Sequence, residues 1–158
     1  MKILKLSLLL LSITLISFAQ GFRQTQTDSY TRYELLKPSN QSFRIIYDVS
    51  ATTAGATNYF NGLRVGSEHL VDAVWDLMTG KELNWEIVNG IKAKENGLSN
   101  ANEAGEYLMV DLARPIPEGG QARLRIDKTY KDANSYYQED GTIVFDRLLG
   151  IKRNSVVL

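Results

Sequence analysis

Between Tyr107 and Tyr130 the chain alternates apolar and polar residues on both sides of a proline- and glycine-rich interruption. Nothing else in the sequence constrains the fold as much. In the first arm Leu108, Val110 and Leu112 share one face, and Tyr107, Met109, Asp111 and Ala113 share the other. In the second arm Ala122, Leu124 and Ile126 lie opposite Gln121, Arg123, Arg125 and Asp127. Successive side chains of a strand point to opposite sides, so each arm reads as a strand with one buried and one wet face. Pro115 and Pro117 lack the N–H a ladder needs, and Glu118-Gly119-Gly120 tolerates positive φ. The arms are therefore expected to pair as a hairpin turning at that point. A lone hairpin would not hold. Each buried Leu, Val or Ile contributes about 1.5–3 kcal/mol, whereas each ordered residue costs about 1–2 kcal/mol of backbone entropy. A second layer must cover the apolar face, which predicts a sandwich.

The remaining segments supply that layer. Tyr30 to Leu36 alternates through Tyr33 and Leu35 until Lys37-Pro38-Ser39-Asn40 breaks it. Phe43, Ile45, Tyr47 and Val49 predict a strand from Ser42 to Ser50. Ala51 to Gly66 reads as a loop or short strand whose Tyr59, Phe60 and Leu63 plug one end of the core. Ser67 to Val88 fits two periods. Leu70, Val71, Val74, Trp75 and Met78 have helical spacing, while Val71, Ala73, Trp75 and Leu77 alternate, as do Leu83, Trp85 and Ile87. A hairpin turning near Met78 to Lys81 pairs both arms and is preferred. Asn89 to Glu106 is polar and reads as a long surface connection, and Asp140-Gly141 as a turn before a strand starting near Thr142. The expected fold is all-β, a two-layer antiparallel β-sandwich of about seven or eight strands, immunoglobulin-like in pattern.

The first nineteen residues have a different purpose. Lys2 and Lys5 give a basic start, Ile3 to Ile16 is almost wholly apolar, and Ser17-Phe18-Ala19 places small residues at the two positions a signal peptidase reads. This predicts a signal peptide cleaved after Ala19, and hence a periplasmic or extracellular protein with no membrane association after cleavage. Removing 19 of 158 residues leaves 139, enough for one domain with a core. Residues 20–29 are polar and unpatterned, expected as a flexible leader, and residues 30–158 as a single sandwich domain. The apolar end Ser155-Val156-Val157-Leu158 is a poor terminus, so the chain is expected to be the N-terminal fragment of a longer protein.

Charge and composition narrow the function classes. The signal holds two of the 18 basic residues and none of the 18 acidic ones, leaving 16 against 18. That balance gives no electrostatic footprint for nucleic acid. With no cysteine there is no thiol nucleophile, lipoprotein anchor or disulfide. No serine stands in G-x-S-x-G, and no glycine turn matches a phosphate loop. The single histidine, His69, has no H-E-x-x-H context and reads as a surface or loop residue. No catalytic residue and no cofactor are expected. Asp132, Asn134 and Asp140, beside Glu139, offer oxygen ligands to Ca²⁺, but their spacing also suits turn formers. Tyr136 and Tyr137, in a polar loop, with Tyr130 and with Trp75 and Trp85, could form an aromatic platform for a glycan; the preferred reading puts both tryptophans in the core and Tyr130 as the cap of a strand end. Asn40-Gln41-Ser42 has the form of a glycosylation acceptor.

The stretch RPIPEGGQARLRIDKTY from Arg114 to Tyr130, preceded by YLMVDLA, resembles a segment in the N-terminal β-sandwich of aminopeptidase N-type zinc metallopeptidases. There too an alternating strand leads through a Pro/Gly turn into a strand ending in tyrosine. The resemblance covers this stretch and, loosely, Phe43 to Val49. It implies an aminopeptidase N-terminal-domain-like sandwich, an accessory domain whose partner is a downstream metallopeptidase-like domain of the same chain. The catalytic motif of that family is absent here, so the resemblance carries over no catalytic residue.

Overall fold

The structure, a computed structural model, describes residues 21–146 and the backbone of residues 153–157. The signal peptide, Leu148 and Leu158 lie outside the described residues. Six strands form a large sheet in the order β11-β1-β2-β8-β4-β5, built from β1 (Gln26–Leu35), β2 (Ser42–Ala51), β4 (Glu68–Asp76), β5 (Lys81–Glu82), β8 (Ala122–Lys131) and β11 (Arg153–Val157). A second sheet runs β3-β7-β6, from β3 (Asn58–Leu63), β6 (Trp85–Asn89) and β7 (Glu106–Asp111). A separate hairpin joins β9 (Tyr136–Glu139) to β10 (Thr142–Phe145). All pairings are antiparallel except β1 with β11. The all-β sandwich is as the alternation requires. Eleven strands are described rather than seven or eight, because β5, β9 and β11 are short additions, while β10 starts at Thr142 as expected.

The two arms flanking the proline turn are strands, but they do not pair with each other. β7 lies between β3 and β6 in the small sheet, and β8 between β2 and β4 in the large one. The connection is an arch that passes from one sheet to the other over exposed residues, with only Ile116 of residues 113–121 buried. Leu108 and Val110 from β7 meet Leu124 and Ile126 from β8 in one buried cluster with Val49, Val71 and Val74. Facing each other buries both apolar stripes at once, whereas pairing side by side would leave both needing a cover. Ile116, between the two prolines, is buried in the same cluster. Its N–H donates to Ala56 O and its carbonyl accepts from Gly55 N, so the arch is tied to the loop before β3.

The segments read as coverings are more regular than their composition suggests. Ala51 to Gly66 contains the full strand β3, with Tyr59 in the main interior and Phe60 on the opposite face. Asn89 to Glu106 is no plain surface connection. It holds a short helix, α1 (Gly90–Glu95), capped by Asn89 Oδ1, which accepts from Lys92 N at 2.8 Å. Ala93, Leu98 and Ala101 from this segment cover Phe60, Val88 and Met109 on the outer face of the small sheet. Met109, expected on a wet face, is therefore only 6% exposed. Nor is residue stretch 21–29 a loose leader. β1 begins at Gln26, Phe22 bridges Leu98, and the Gln24 amide both accepts from Phe60 N at 2.7 Å and donates to Phe60 O at 2.8 Å.

Within 67–88 the chain does turn back after Asp76, with Trp75 opposite Glu82 and Asp76 opposite Lys81. The hairpin is brief, since β6 leaves for the small sheet. A bulge between Val71 and Ala73 shifts the register against β8. Val71 and Val74 therefore both face inward, while Trp75 lies opposite Arg125 on the outer face and is not core. Trp85 is half-buried against the main cluster.

Candidate functional site

The inward alternation of β8 does not stop at Ile126. The next positions on that face are Lys128 and Tyr130, so the strand carries a lysine into the space between the sheets. Lys128 is 5% exposed. Its Nζ donates to Asn61 Oδ1 at 2.5 Å, joining the large sheet to β3, and stands 5.5 Å from the centre of the Tyr130 ring. Around it opens a cavity of about 400 Å³, lined by Thr31 and Tyr33 of β1, Ile45 and Tyr47 of β2, residues 61–64, Lys128 and Tyr130. Two cationic side chains, Lys128 and Arg64, line this cavity, and no carboxylate does among the described residues.

The surroundings are polar but bonded. Tyr59 O–H donates to Gln26 Oε1 at 2.7 Å, and Gln26 Nε2 donates to Tyr47 OH at 2.9 Å. Burial, with the nearby Tyr47 phenol, pushes the Tyr59 hydroxyl well above the usual tyrosine range. Arg64 Nη1 donates to Asp132 Oδ2 and to Ser135 Oγ, the latter at 2.9 Å. Asp132 is partly desolvated, which acts to raise its carboxyl. The Ser135 hydroxyl, the Arg64 charge and the backbone N–H groups of Asn134 and Ser135 outweigh that and hold it below the usual carboxylate range. His69 lies on β4 rather than in a surface loop. Its ring centre is 5.8 Å from that of Tyr130, and Nε2 is 3.5 Å from Glu106 Oε2.

The structure separates the residues the sequence nominated. Tyr136 is 1% exposed. Its O–H donates to Leu36 O at 2.6 Å and its ring meets Phe145 edge-on at 6.1 Å. Tyr137 is half-buried, opposite Val144. Adjacent residues of a strand point to opposite faces, so Tyr136 and Tyr137 cannot form one platform. Tyr130 is 2% exposed and packs with Tyr33, Phe43, Ile45 and Tyr136, a cluster that contains neither tryptophan. For calcium, Asp132 already accepts from Arg64 and from Asn134 N, while Asp140 sits at the β9–β10 tip, where it and Gly141 have φ of 49° and 79°. No group of three or more His, Asp or Glu placed to hold a metal occurs among the described residues. Asn40 ends an exposed one-turn 3₁₀ segment, and Ser42 Oγ donates to its carbonyl at 2.9 Å. Sequence reasoning passed over Lys128, Asn61, Arg64, Tyr33 and Tyr47. The signal for Lys128 was present, in the period-two pattern carried two residues further.

A second cavity, of about 460 Å³, lies by the arch and is lined by Met78, Leu83, Leu112, Ile116, Pro117 and Leu124 among others.

No protein-family model matches the sequence, and no curated protein matches it. Solved structures do. The fold is similar to part of a two-domain M1 zinc metallopeptidase variant bound to L-tryptophan, at a TM-score of 0.51 and 15% identity over 78% of this chain and 27% of that one. It is similar to part of a two-domain M1 zinc metallopeptidase variant bound to L-arginine, at 0.50 and 14% over 78% and 26%. An M1 zinc metallopeptidase variant from Deinococcus radiodurans gives 0.50 and 13% over 77% and 25%. This chain spans about a quarter of the length of those it matches. At such identity the likeness is one of fold alone: an all-β sandwich similar to part of these M1 zinc metallopeptidases.

Proposed function

We propose that this protein is a non-catalytic accessory domain, exported by its signal peptide, which packs against a downstream metallopeptidase-like module of a longer chain. One observation carries the reading: the fold likeness takes in 78% of this chain but only 27% of the metallopeptidase chain it matches. The residues agree with it. The carboxylates of Asp132 and Asp48 are engaged by arginines, and Asp76 is tied into the turn that follows it. His69 has one carboxylate neighbour, Glu106, and no zinc-ligand set forms with it among the described residues. The test is to purify the mature chain, supply zinc, and assay aminoacyl 4-nitroanilides. No turnover is expected, and zinc-dependent release of nitroaniline would overturn the non-catalytic assignment. Sequencing the gene past codon 158 tests the partner: a reading frame that continues into an H-E-x-x-H motif is expected, and an immediate stop would refute a downstream module.

A further inference from the structure

At the arch end of the sandwich a cavity of about 460 Å³ opens between the end of β4, the start of β8 and the residues that follow β7. Its floor is the main core itself, through Leu83, Ile116 and Leu124. Nearer the solvent its wall is made by Met78, which is 49% exposed, by half-buried Leu112 and by exposed Pro115 and Pro117. An apolar occupant would continue the core outward and cover side chains that water now reaches. Arg114 adds a charge to this apolar wall. Its side chain is exposed and, unlike Arg44, Arg64 and Arg125, it holds no carboxylate among the described residues. The carboxylate in the wall, Asp76, is 7% exposed and bound into its own turn: Met78 N–H donates to Oδ1 at 2.8 Å and Thr79 O–H to Oδ2 at 2.9 Å. An apolar cavity with an unpaired cation at its rim matches an amphiphile with an anionic head. We propose that this cavity binds a medium-chain fatty acid, its acyl tail laid on Leu112 and Leu124 and its carboxylate paired with Arg114.

A peptide with an apolar C-terminal residue is the competing class, and the backbone around the cavity argues against it. Main-chain recognition needs open N–H and C=O groups beside the side-chain pocket. Here Leu77 N–H donates to Arg123 O, Leu83 N–H to Val74 O and Leu112 N–H to Thr57 O, while Pro115 and Pro117 have no N–H to offer. An acyl chain needs no such partners. This proposal does not rest on the accessory-domain reading, because binding is measured on the mature chain whether or not peptidase activity is found.

The experiment is a calorimetric titration of the delipidated mature protein with decanoate, octanoate, 1-decanol and decyltrimethylammonium. Saturable binding of decanoate is expected, and octanoate, with two fewer methylenes to bury, should bind roughly tenfold more weakly. Arg114→Gln should weaken decanoate about threefold, as for an exposed ion pair, and leave 1-decanol unchanged. Ala122 lies on the inward face of β8, half-buried in the cavity wall, so Ala122→Phe fills the space the tail would take. It should weaken decanoate at least about tenfold in the folded protein. If that variant does not fold, Arg114→Gln decides the matter, since the arginine side chain is exposed. No saturable binding of decanoate, equal affinity for octanoate, binding of decyltrimethylammonium at least as tight, an Arg114→Gln variant that treats decanoate and 1-decanol alike, or an unchanged affinity in folded Ala122→Phe would each overturn the proposal.

Discussion

Replacing Tyr136 by Phe and by Ala separates a buried anchor from a surface aromatic. The side chain is 1% exposed in a cluster with Tyr33, Phe43, Ile45 and Tyr130, and its hydroxyl donates to the Leu36 carbonyl at 2.6 Å across a hundred residues of chain. Tyr136→Phe keeps the ring and the edge-on contact with Phe145 but removes the donor. The Leu36 carbonyl is then left part-buried without it, a loss of about 1–3 kcal/mol. Tyr136→Ala also removes the ring and leaves a cavity, for which large-to-small aromatic changes cost about 3–5 kcal/mol. Urea unfolding followed by circular dichroism measures both, and a constant m-value shows that the comparison is between like states. A ratio near two or three between the variants is expected. If both lie within about 0.5 kcal/mol of wild type, Tyr136 is a surface residue, as surface changes behave that way. The packing of the β9–β10 hairpin against β1 and β2 would then be refuted with it.

Three further outcomes follow from the geometry. Asp132 is held below the ordinary carboxylate range in the folded state, so the unfolded chain binds the proton more readily; its contribution is full above the usual aspartate value of 3.8 and is lost as pH falls through the depressed folded value. Wild type should therefore lose more of its urea midpoint below that pH than Asp132→Asn does, and parallel acid limbs would contradict this. Tyr59 has the opposite sign: its folded value is raised, so its contribution is present below pH 10 and lost at higher pH. Ultraviolet titration near 295 nm should show tyrosine ionisation that comes only with unfolding, and Tyr59→Phe should reduce the amplitude of that step. Gly90→Ala places a Cβ 1.8 Å from Asn102 O, so α1 must move off the segment it packs on, with a loss of about 1–3 kcal/mol or more by thermal denaturation.

What the sequence disclosed and what it concealed follow from the range of the interactions involved. Period-two alternation is local, and β2, β7 and β8 appear within a residue or two of where their patterns place them. Pairing is not local. Nothing in Leu108 to Ile126 distinguishes a hairpin from an arch, because both orient the apolar stripe the same way and differ only in which strands provide the hydrogen bonds. β4 shows a subtler failure. Its bulge at Val71 to Ala73 inserts one residue, so the inward positions Val71 and Val74 stand three apart, and the strand imitates the spacing of a helix. The covering segment 90–101 was concealed by composition. A short helix needs only Ala93, Leu98 and Ala101 to cover Met109, and these few apolar residues vanish among Lys, Asn and Gly. The candidate site was missed for a related reason. Attention went to aromatics in polar loops, whereas the reactive-looking chemistry lies on inward strand positions, where Lys128 follows Ile126 by simple parity.

The interior of this sandwich is divided along its length, and that division makes site and stability separable. Toward the arch the two sheets meet through Val49, Val74, Leu108, Val110, Leu124 and Ile126, all apolar and buried. Burial there supplies the driving force for folding at about 25 cal/mol per Å². Further along β8 the same inward face carries Lys128, with Asn61, His69 and Glu106 near that end, and each of these must retain hydrogen-bond partners to be tolerated. A chain selected for stability alone would extend the apolar stripe. Lys128→Met alone leaves the Asn61 amide without its donor, so it should be less stable than Lys128→Met combined with Asn61→Leu, by about 1–3 kcal/mol. A double variant less stable than either single one would mean that the lysine and asparagine are there for the fold itself.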